Sequence, residues 1–574
     1  MVFPTLFLLG FQESFMCRTY LLCAFSLAAL LIVQPSISNW PVGEAFFTPQ
    51  PQPLQLGPDG WDCVLCTAIT GIVSQLSQMH RIPARDALAL FCGFFRSVES
   101  ALCRTASLIL IEGALKLIDE GRSADKVCQA ISYCVKEECH IFPPDNNKSV
   151  TLHEMRKAYN LENIRPLGAC KLVPGLCQLW RSGSERDKDG DGFSTYPTRR
   201  GTDWKGRDCD DNDPNVYPGK NSTDATRDEN CNGIYGVDPA TGKTYEELWC
   251  ANSSPMGVIG VGDSATAHFT VPVAYVSVFD ISSEALASFV PMIDNELDWP
   301  MLSSLTGFRS TSGYFPNFEG PMVSVYGKLL ERNRCNHRDY QNIGHNGAAS
   351  GNLLDFLKQV VRNRNESVKP AYVFFSMIGN DVCIPPPNFF TPEHYYQSVS
   401  DAVKEADNFL PRGSYVIIVP IADARLVIES VVDRIHPIGK LNNDVTYGNL
   451  YDYLNCLKAS PCWGWLNSNP AVRNEAWRNA SAMNAMIPRI VNESANLKNI
   501  KVFALTDPVS WALENFDGPL WRLVDPVDGF HPSQIATALI GERIFAQLQS
   551  LGILTPENPF NADIQRRFGD QGGY

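Results

Sequence analysis

The sequence predicts a multidomain protein in which a small all-α, disulfide-linked domain precedes a three-layer α/β domain with a parallel sheet. A chain of 574 residues is long enough for at least two hydrophobic cores. Six cysteines between Cys63 and Cys134 are interleaved with apolar residues at helical spacing. Short β-branched runs alternate with helical segments from about Met256 to about Leu551, which is the pattern of a parallel sheet covered by helices.

The first 38 residues are predicted to form a signal peptide. An uncharged apolar run, Tyr20–Val33, follows Arg18 and precedes Pro35 and two serines, as in a cleavable secretion signal. The run is shorter than the roughly 20 residues that a membrane-spanning helix needs, and an uncleaved anchor is the alternative. Residues 39–58 are predicted to be a short linker or propeptide.

The composition favours a secreted glycoprotein. The 18 cysteines include Cys17 and Cys23 of the predicted signal, and the even number that remains suits pairing in an oxidising compartment. The net charge of −14 argues against nucleic-acid binding, which needs clustered Lys and Arg. No later stretch is long and apolar enough to span a bilayer, so we expect any lipid contact to be peripheral. Six sequons are candidate glycosylation sites: Asn147, Asn221, Asn252, Asn365, Asn479 and Asn492.

Residues 59–142 are predicted to be the small helical domain. Its core is small, and disulfides that close long loops would stabilise it by roughly 2–4 kcal/mol each. The cysteine spacing resembles that of saposin-type domains, whose nested pairing implies the bonds Cys63–Cys134, Cys66–Cys128 and Cys92–Cys103, although spacing alone leaves other pairings open. Saposin-type domains bind lipids. Several apolar residues are therefore candidates for a lipid-facing surface, while each one alone fits a core position: Phe91, Phe94, Phe95 and Leu108–Ile111.

Residues 184–250 hold the densest group of oxygen ligands and are predicted to bind calcium. Asp187, Asp189 and Asp191 stand at positions 1, 3 and 5, with Gly190 and Gly192 allowing a tight turn, as in the first half of an EF-hand loop, and the carbonyl of Phe193 is a further candidate ligand. Hard oxygen donors favour calcium over zinc, and we expect more than one ion, with a structural role. A solvated acidic linker is the alternative, but two cysteines and recurring glycines favour an ordered segment. Two further groups complete the candidate ligands: Asp208, Asp210, Asp211, Asp213, Val216, Asp224, Asp228, Asn230, Asn232 and Ile234.

Ser264 is the candidate nucleophile. The sequence Gly262–Phe269 follows the apolar run Met256–Val261, so the hydroxyl lies where a buried strand ends in a tight turn. In open α/β sheets reactive groups gather at such strand ends. The alternative is an ordinary turn in which Asp263 or Ser264 caps the following helix.

Partners for a nucleophile occur downstream. Asp528 precedes His531 by three residues, a spacing at which one turn can bring the carboxylate onto a ring nitrogen. The strand-like run Ala371–Ile378 leads to Asn380, and Gly347 lies in a predicted loop. The side-chain amide of Asn380 and the N–H groups of Gly347 and Ser264 would suffice as an oxyanion hole.

These blocks, in this chain order, resemble the SGNH (GDSL-type) hydrolase family. The resemblance implies that Ser264 is the nucleophile, that Asp528 and His531 complete the triad, and that Gly347 and Asn380 line the oxyanion hole. Thr266 stands where the Gly-x-Ser-x-Gly elbow of the larger α/β-hydrolases requires its second glycine.

Other polar residues near these blocks could contact a substrate or have a structural role. For His268, packing or hydrogen bonding is favoured over a contact with substrate. The polar run Asn336–Asn342 fits substrate contacts and a buried network equally well. Two more β-branched runs, Ser414–Pro420 and Asn499–Leu505, add strands to a domain that spans residues 251–574, whose tail to Tyr574 is expected to close over it.

The combination of all segments resembles the acyloxyacyl hydrolase family. The most specific stretches are Gly262–Ala265, Cys335–Asn342, Met377–Cys383, Val527–Pro532 and Phe568–Gly573. The resemblance implies a secreted enzyme that removes secondary fatty acyl chains from the lipid A of lipopolysaccharide and also cleaves phospholipid esters, with endolysosomal or secretory vesicles as further locations. A broader phospholipase or acyl esterase and a non-catalytic lipid-binding protein are the alternatives.

Family members are made as a zymogen and cut into two disulfide-linked subunits, which places a processing region within residues 143–183. Pro166 follows Arg165 there and argues against a trypsin-like cut at that bond, so the position of any cut stays open. Cys139 is the candidate for the inter-subunit bond, with a partner that the sequence does not identify.

Overall fold

The computed structural model describes residues 60–95, 100, 103, 112–144, 150–159, 161, 187–197, 199–288, 295–311, 318–385 and 390–574. The predicted signal peptide and propeptide, Leu108–Ile111, the Asn147 sequon and the Arg165–Pro166 bond lie outside these residues.

Helices make up the described N-terminal part of the chain: α1 (Trp61–His80), α2 (Ala84–Gly93), α3 (Glu112–Asp119), α4 (Ala124–Ala130) and α5 (Leu152–Ala158). Disulfides join Cys63 to Cys134, Cys66 to Cys128 and Cys92 to Cys103, the pairs that the saposin resemblance implied. Phe91 and Phe95 pack edge to face, with ring centroids 5.4 Å apart, and both are buried. In this conformation these two rings belong to the core and not to a lipid-facing surface.

Five parallel strands form one sheet in the order β2-β1-β3-β4-β5. Their bounds are β1 (Gly257–Gly262), β2 (Tyr340–Gly344), β3 (Ala371–Ser376), β4 (Ser414–Ile418) and β5 (Ile500–Ala504). Gly262, the last residue of β1, aligns with Gly344 on one side and with Ser376 on the other. The strand order reverses around β1 and β3, and open α/β sheets bind ligands at the carboxyl ends of strands at such a point.

Four of the strands lie where β-branched runs predicted them, but β2 was not predicted. Its residues Tyr340, Gln341 and Asn342 are polar yet fully buried, because each finds hydrogen-bond partners. Gln341 exchanges two hydrogen bonds with the backbone of Val361, both 2.9 Å long. Because these residues are polar, β2 lacks the β-branched apolar pattern by which the other four strands were predicted.

Helices cover both faces of the sheet, as predicted. One cluster of buried apolar residues contains Val258 and Phe374 with helical residues such as Leu329 and Ile544. A second cluster contains Ile259 and Val373 with helical residues such as Val403 and Ile428. Successive strand residues point to opposite faces, so the two clusters are the two sides of a three-layer domain. The helices are α6 (Tyr245–Trp249), α7 (Ser264–Ala267), α8 (Val325–Arg332), α9 (Leu353–Leu357), α10 (Pro392–Phe409), α11 (Arg425–Val431), α12 (Tyr447–Cys456), α13 (Pro470–Asn484), α14 (Ile487–Glu493), α15 (Pro508–Asn515), α16 (Gln534–Ser550) and α17 (Asn561–Phe568).

The acidic segment, residues 187–197 and 199–250, lies against the edge of the sheet formed by β2. Lys205 forms an antiparallel bridge with Gln341 of β2, and the N–H of Gly206 donates to the Tyr340 carbonyl at 2.9 Å. A Cβ on Gly206 would lie 1.7 Å from the carbonyl oxygen of Arg338, so only glycine allows this approach. A disulfide within the segment, Cys209–Cys231, and one to the α/β domain, Cys250–Cys335, fix it further. The segment is therefore ordered, and it covers the edge of the sheet formed by β2.

The C-terminal tail packs on the same side. Arg338 donates to the carbonyls of Gly572 and Gly573 at 2.8 and 2.9 Å, and the ring of Tyr574 stacks on Phe308 with centroids 4.6 Å apart. The tail therefore closes over the domain, as the sequence suggested.

The helical domain docks on α12. The disulfide Cys139–Cys456 links the two, which identifies the partner of Cys139. Around it, Trp61 and Val64 of α1 share a buried apolar cluster with Leu450 and Leu454 of α12. Within the described part of the chain, no helix has both the length and the hydropathy of a membrane span.

Candidate active site

Ser264 lies at the start of α7, two residues beyond the last residue of β1, and is 7% exposed. Asp263 is the N-cap residue of this helix, and its carboxylate accepts from the N–H of Ala265 at 3.1 Å. Its other oxygen accepts from the N–H groups of Ile378 and Gly379 at 2.8 and 3.2 Å. The capping role that we weighed against catalysis is therefore present, and it fixes the turn that presents the Ser264 hydroxyl.

His531 faces Ser264 directly. Its Nε2 lies 2.7 Å from the Ser264 Oγ, and its Nδ1 forms a short hydrogen bond with Asp528 Oδ2. The other oxygen of Asp528 accepts from the N–H groups of Phe530 at 2.8 Å and His531 at 3.1 Å. The structure thus joins the three predicted residues in one hydrogen-bonded line, the arrangement in which an imidazole can act as a base towards a serine.

The environment of His531 favours its charged form. Burial alone would lower the pKa of His531, but the neighbouring Asp528 carboxylate, with smaller contributions from Asp525 and Asp263, raises it above the usual value. A proton taken from Ser264 would therefore be held more firmly here than on an isolated imidazole.

Asp525 supports the loop that carries Asp528, a role that we did not predict. One of its oxygens accepts from the N–H groups of Val527 and Asp528 at 2.8 and 2.9 Å, and the other accepts from Val271 N–H at 3.0 Å and from the Thr270 hydroxyl. Burial raises the pKa of Asp525 to about 7, and hydrogen-bond donors oppose the shift. The signal was available in the sequence, because Asp525 and Asp528 belong to the same short block.

Asn380 is half-buried and lines the same pocket as Ser264 and His531. It begins a short 3₁₀ turn after β3, and the next residue, Asp381, is fully buried and accepts from the N–H of Ser350 at 3.1 Å and from its hydroxyl. Burial raises the pKa of Asp381 to about 6. Asn380 is thus placed between two anchored residues, Gly379 and Asp381.

Gly347 lies outside the pocket lining, in the turn after β2, with a φ of 75° that favours glycine. This turn is tied to β1, because the N–H of His345 donates to the Gly262 carbonyl at 3.0 Å. The turn that contains Gly347 is therefore anchored to the end of β1 through His345, and the role of Gly347 in the oxyanion hole stays a prediction.

Arg200 holds the turn after β2, and sequence reasoning missed it. Its Nη1 donates to the Gly344 carbonyl at 2.7 Å and its Nη2 donates to Nδ1 of His345 at 2.8 Å. Burial and the cationic Arg200 lower the pKa of His345 to about 3, so this imidazole is neutral and accepts from Arg200. Arg200 comes from the acidic segment, and no local sequence pattern connects it with a turn 144 residues away.

An apolar pocket opens beside the hydroxyl of Ser264. Ser264, His531 and Asn380 lie on one side of this pocket, and apolar side chains line the rest. An apolar lining of this kind suits an alkyl chain, and it has few hydrogen-bond partners for a sugar or a charged group. The apolar lining includes Ala422, Ala424, Val427, Trp465, Val509, Leu513, Leu523 and Ile540.

The remaining polar candidates have structural partners. His268 is fully buried beside Thr537, whose hydroxyl lies 3.2 Å from its Nδ1, and burial lowers the pKa of His268 to about 4. The run Asn336–Asn342 forms a buried network: Asn342 donates to the Thr266 carbonyl at 2.8 Å, and Asp339 pairs with the buried Arg362. The reading of this run as substrate contacts is not supported by these interactions.

Five of the predicted metal ligands form the first acidic cluster. Oxygens of Asp187, Asp189 and Asp211 lie within 4.8 Å of one another, as do those of Asp189, Asp191 and Asp208. Asp189, Asp191 and Asp208 each have a buried oxygen without a hydrogen-bond partner. Burial raises the pKa of Asp191 to about 7 and that of Asp208 to about 6. Uncompensated buried carboxylates of this kind form a site that can hold a metal ion.

Asp224 and Asp228 form the second cluster, together with Glu246, which we did not predict. Each of the two aspartates has one buried oxygen without a partner, and burial raises the pKa of both to about 6. The amides of Asn230 and Asn232 donate to Glu246 at 3.1 Å, and the buried Lys369 pairs with Glu246 at 3.4 Å. The neighbouring Glu246 carboxylate adds to the rise in the pKa of both aspartates.

Asp210 and Asp213 are not brought into either cluster, because both face Arg227. The Arg227–Asp213 distance is 2.7 Å, and that hydrogen bond lowers the pKa of Asp213 to about 2. The carbonyl groups of Phe193, Val216 and Ile234 stay predicted ligands.

Comparisons with known proteins identify both domains. The family model GDSL-like Lipase/Acylhydrolase matches residues 258–544, and the model Saposin-like domain matches residues 62–179. Acyloxyacyl hydrolase of Homo sapiens is 36% identical over 549 residues, which cover 90% of this chain and 94% of the relative. Acyloxyacyl hydrolase of Mus musculus is 35% identical with the same coverage, and that of Oryctolagus cuniculus is 36% identical over 91% of this chain and 95% of the relative. The chain is an ester hydrolase that belongs to the acyloxyacyl hydrolase family.

Proposed function

We propose that this protein cleaves acyl esters with Ser264 as nucleophile and His531 and Asp528 as its partners. The observation that carries the proposal is the hydrogen-bonded line from Asp528 through His531 to Ser264, with 2.7 Å between Nε2 and Oγ, beside an apolar pocket. The pocket supplies a place for the acyl chain, and the line supplies the base that activates the hydroxyl.

In the first step, Oγ of Ser264 attacks the ester carbonyl carbon while Nε2 of His531 takes the hydroxyl proton. Asp528 keeps the proton on Nδ1 and stabilises the imidazolium. The negative oxygen of the tetrahedral intermediate accepts from the N–H of Ser264, the side-chain amide of Asn380 and the N–H of Gly347. His531 then protonates the leaving alkoxide, and the acyl group remains on Ser264. Water, activated by the same imidazole, releases the fatty acid and restores the serine.

The proposed substrate is the lipid A of lipopolysaccharide, from which secondary acyl chains, those esterified to the hydroxyl of another acyl chain, are released. Its support is the name acyloxyacyl hydrolase of relatives aligned over 90% of the chain, together with a saposin-like domain docked on the catalytic one. Phospholipid acyl esters are a second substrate class that the same apolar pocket would accept.

Calcium is the proposed ion of the acidic segment. Oxygen-only donors, with several carboxylates per site, suit calcium and disfavour zinc, and the cysteines near Asp208 are unavailable because they pair with each other. Asp187, Asp189, Asp191, Asp208 and Asp211 would hold ions in the first cluster. Asp224 and Asp228 would hold one in the second. The ions would neutralise buried charge and keep the segment on the sheet edge.

We propose a secretory location for the protein. The disulfides of both domains suit an oxidising compartment, and among the described sequons Asn221, Asn252, Asn365 and Asn492 are exposed. Asn479 is half-buried and its amide donates to the Phe390 carbonyl at 3.1 Å, which makes it the least accessible of the five. If the chain is cut in its processing region, the Cys139–Cys456 bond would hold the two subunits together.

The test is incubation of the purified protein and its Ser264→Ala variant with lipopolysaccharide, and identification of the released fatty acids by mass spectrometry. Secondary acyl chains released by the wild type alone are the expected result. Release from phospholipid vesicles but never from lipopolysaccharide would make the protein a phospholipase. Equal release by both proteins would refute Ser264 as the nucleophile, and no release from either substrate would favour a lipid-binding protein.

A further inference from the structure

The loop that carries Asp528 is held from outside by three side chains. The Tyr447 hydroxyl donates to the Pro526 carbonyl at 2.6 Å, and the Tyr451 hydroxyl donates to the Gly529 carbonyl at 3.2 Å. Between them, Nε2 of His436 lies 2.6 Å from the Val527 carbonyl, one residue before Asp528. Both tyrosines belong to α12, and His436 immediately precedes a short 3₁₀ turn, Pro437–Gly439.

Gly529 shows how closely the loop approaches α12. Its φ is 65°, and a Cβ there would lie 2.5 Å from the Tyr451 hydroxyl. A shift of the loop away from α12 would break these hydrogen bonds, and a shift towards it is blocked by the two tyrosine rings. The position of Asp528 along this direction is therefore set by α12 and His436.

The hydrogen bonds of His436 fix its tautomer. Its Nδ1 accepts from the N–H of Ile438 at 3.1 Å, so the single ring proton of the neutral form is on Nε2 and points at the Val527 carbonyl. The residue is 3% exposed, and burial lowers the pKa of His436 to about 4. His436 is thus a neutral bridge between two backbone segments and takes no part in the proposed proton transfers.

The other end of this bridge touches the saposin-like domain. Nε2 of the buried Gln75, in α1, donates to the Ile438 carbonyl at 2.6 Å. The same domain contacts the far end of α12, where the Tyr453 hydroxyl donates to Thr67 at 3.0 Å and Lys136 donates to the Cys456 carbonyl at 2.9 Å. Three successive hydrogen bonds therefore lead from α1 through Ile438 and His436 to the residue next to Asp528.

We propose that His436 is a positioning residue of the active site, through which docking of the saposin-like domain holds Asp528 against His531. The domain then has a role in catalysis that is separate from any binding of lipid. This inference rests on the proposed triad. If Val527 moves, Asp528 moves with it, and a misplaced carboxylate no longer orients the imidazole; displacements of about 1 Å cost up to about 100-fold in rate.

Two substitutions at His436 separate its hydrogen bonds. His436→Gln keeps an N–H near the Nε2 position and so retains the bond to Val527, whereas His436→Asn keeps an acceptor near Nδ1 and loses that bond. We expect His436→Asn to lower kcat about 10- to 100-fold and His436→Gln to lower it only a few-fold, with KM nearly unchanged in both. A water-soluble short-chain ester, p-nitrophenyl butyrate, is the substrate, because its hydrolysis needs no lipid-binding surface.

The pH dependence of kcat/KM reports the pKa of His531, which a general loss of stability would not change. The carboxylates that face His531 are Asp528, Asp525 and Asp263, and Asp528 contributes most to raising the pKa of His531. The acid limb of kcat/KM should therefore shift to lower pH in His436→Asn and stay in place in His436→Gln.

Gln75→Leu tests the link to the saposin-like domain in the full-length protein. The loss of one buried hydrogen bond should lower kcat for the same ester about 3- to 10-fold, while Gln78→Leu, an exposed position on the same helix, is the control and should leave kcat unchanged. In the His436→Asn background, Gln75→Leu should have no additional effect, because the bond that it acts through is already lost.

Equal losses in the two His436 variants, an unmoved acid limb in His436→Asn, or wild-type kcat in Gln75→Leu would overturn the proposal. Ser264→Ala is measured alongside. If it retains turnover, the proposed triad itself is wrong; if it is inactive while Gln75→Leu is unaffected, only the positioning role fails.

Discussion

Replacing Asp528 with asparagine should inactivate the enzyme by changing the tautomer of His531. Oδ1 of Asp528 accepts from two backbone N–H groups, those of Phe530 and His531, and Oδ2 faces Nδ1 of His531. An asparagine that turned its NH₂ towards the two N–H groups would leave both without an acceptor, at about 1–3 kcal/mol each. The amide oxygen should therefore keep the Oδ1 position, and the NH₂ should face Nδ1.

In that orientation Nδ1 must accept a hydrogen bond, so the ring proton moves to Nε2. An imidazole with its proton on Nε2 cannot take the proton of Ser264. Serine hydrolases locked in this tautomer lose about 10⁴-fold in kcat, which is about 5.4 kcal/mol of transition-state stabilisation. The fold should be retained, because both backbone N–H groups keep their acceptor.

The assay is the kcat and kcat/KM of Asp528→Asn for p-nitrophenyl butyrate from about pH 5 to about pH 9, with circular dichroism to check the fold. His531 must be neutral to act as a base, and its pKa is raised above the usual value by Asp528. Wild-type kcat/KM should therefore fall as the pH drops through a value above 6.5. If the variant keeps measurable activity, the acid limb of its kcat/KM profile should lie at a lower pH than that of the wild type. Asp517→Asn, at an exposed position, is the matched control. More than a tenth of wild-type kcat in Asp528→Asn would refute this reasoning.

Three further changes test other parts of the site. Asn380→Ala should lower kcat about 100- to 1,000-fold with little effect on KM, because one donor to the negative oxygen is lost; an unchanged kcat would remove it from the oxyanion hole. Arg200→Ala deletes the bonds to Gly344 and His345 and should lower kcat about 10-fold, with partial recovery in Arg200→Lys; equal activity of both variants would argue against the anchor. Chelation of calcium should lower the melting temperature before it slows ester hydrolysis, since an ion at 100 times its Kd stabilises by about 2.7 kcal/mol; an immediate loss of turnover at constant stability would indicate a catalytic ion.

The architecture could be predicted because each domain has a strong local pattern. Cysteine spacing predicted the small helical domain, and the β-branched runs around Val373, Val416 and Val502 predicted three strands of the sheet. The edge strand β2 could not be found in this way. Its burial depends on partners such as Val361, and on the acidic segment that covers its edge, and neither is visible in a local window.

The residues of the candidate site likewise fall into two groups, those with a local sequence pattern and those without one. Ser264, His531 and Asp528 lie in short blocks whose residue types and spacing are typical of a nucleophile and its partners. The sequence alone was therefore enough to predict them as candidates. Arg200 and His436 act on backbone carbonyls that are 144 and 91 residues away along the chain. A side chain that binds a carbonyl group has no characteristic spacing, because any residue offers the acceptor. Residues of this kind become visible only when the fold is known.

The placement of these two residues explains how four separate segments of the chain form one site. The turns after β1 and β3 share Asp263, which binds the N–H groups of Ala265, Ile378 and Gly379 from inside the catalytic domain. The turn after β2 is tied to the acidic segment through Arg200, and the loop of Asp528 is tied to the saposin-like domain through His436. Each of the outer loops thus takes its anchor from a different part of the chain. Since buried backbone groups need partners in every loop, we expect the proposed oxyanion hole to depend on the acidic segment through Arg200, and the position of Asp528 to depend on the docked helical domain through His436.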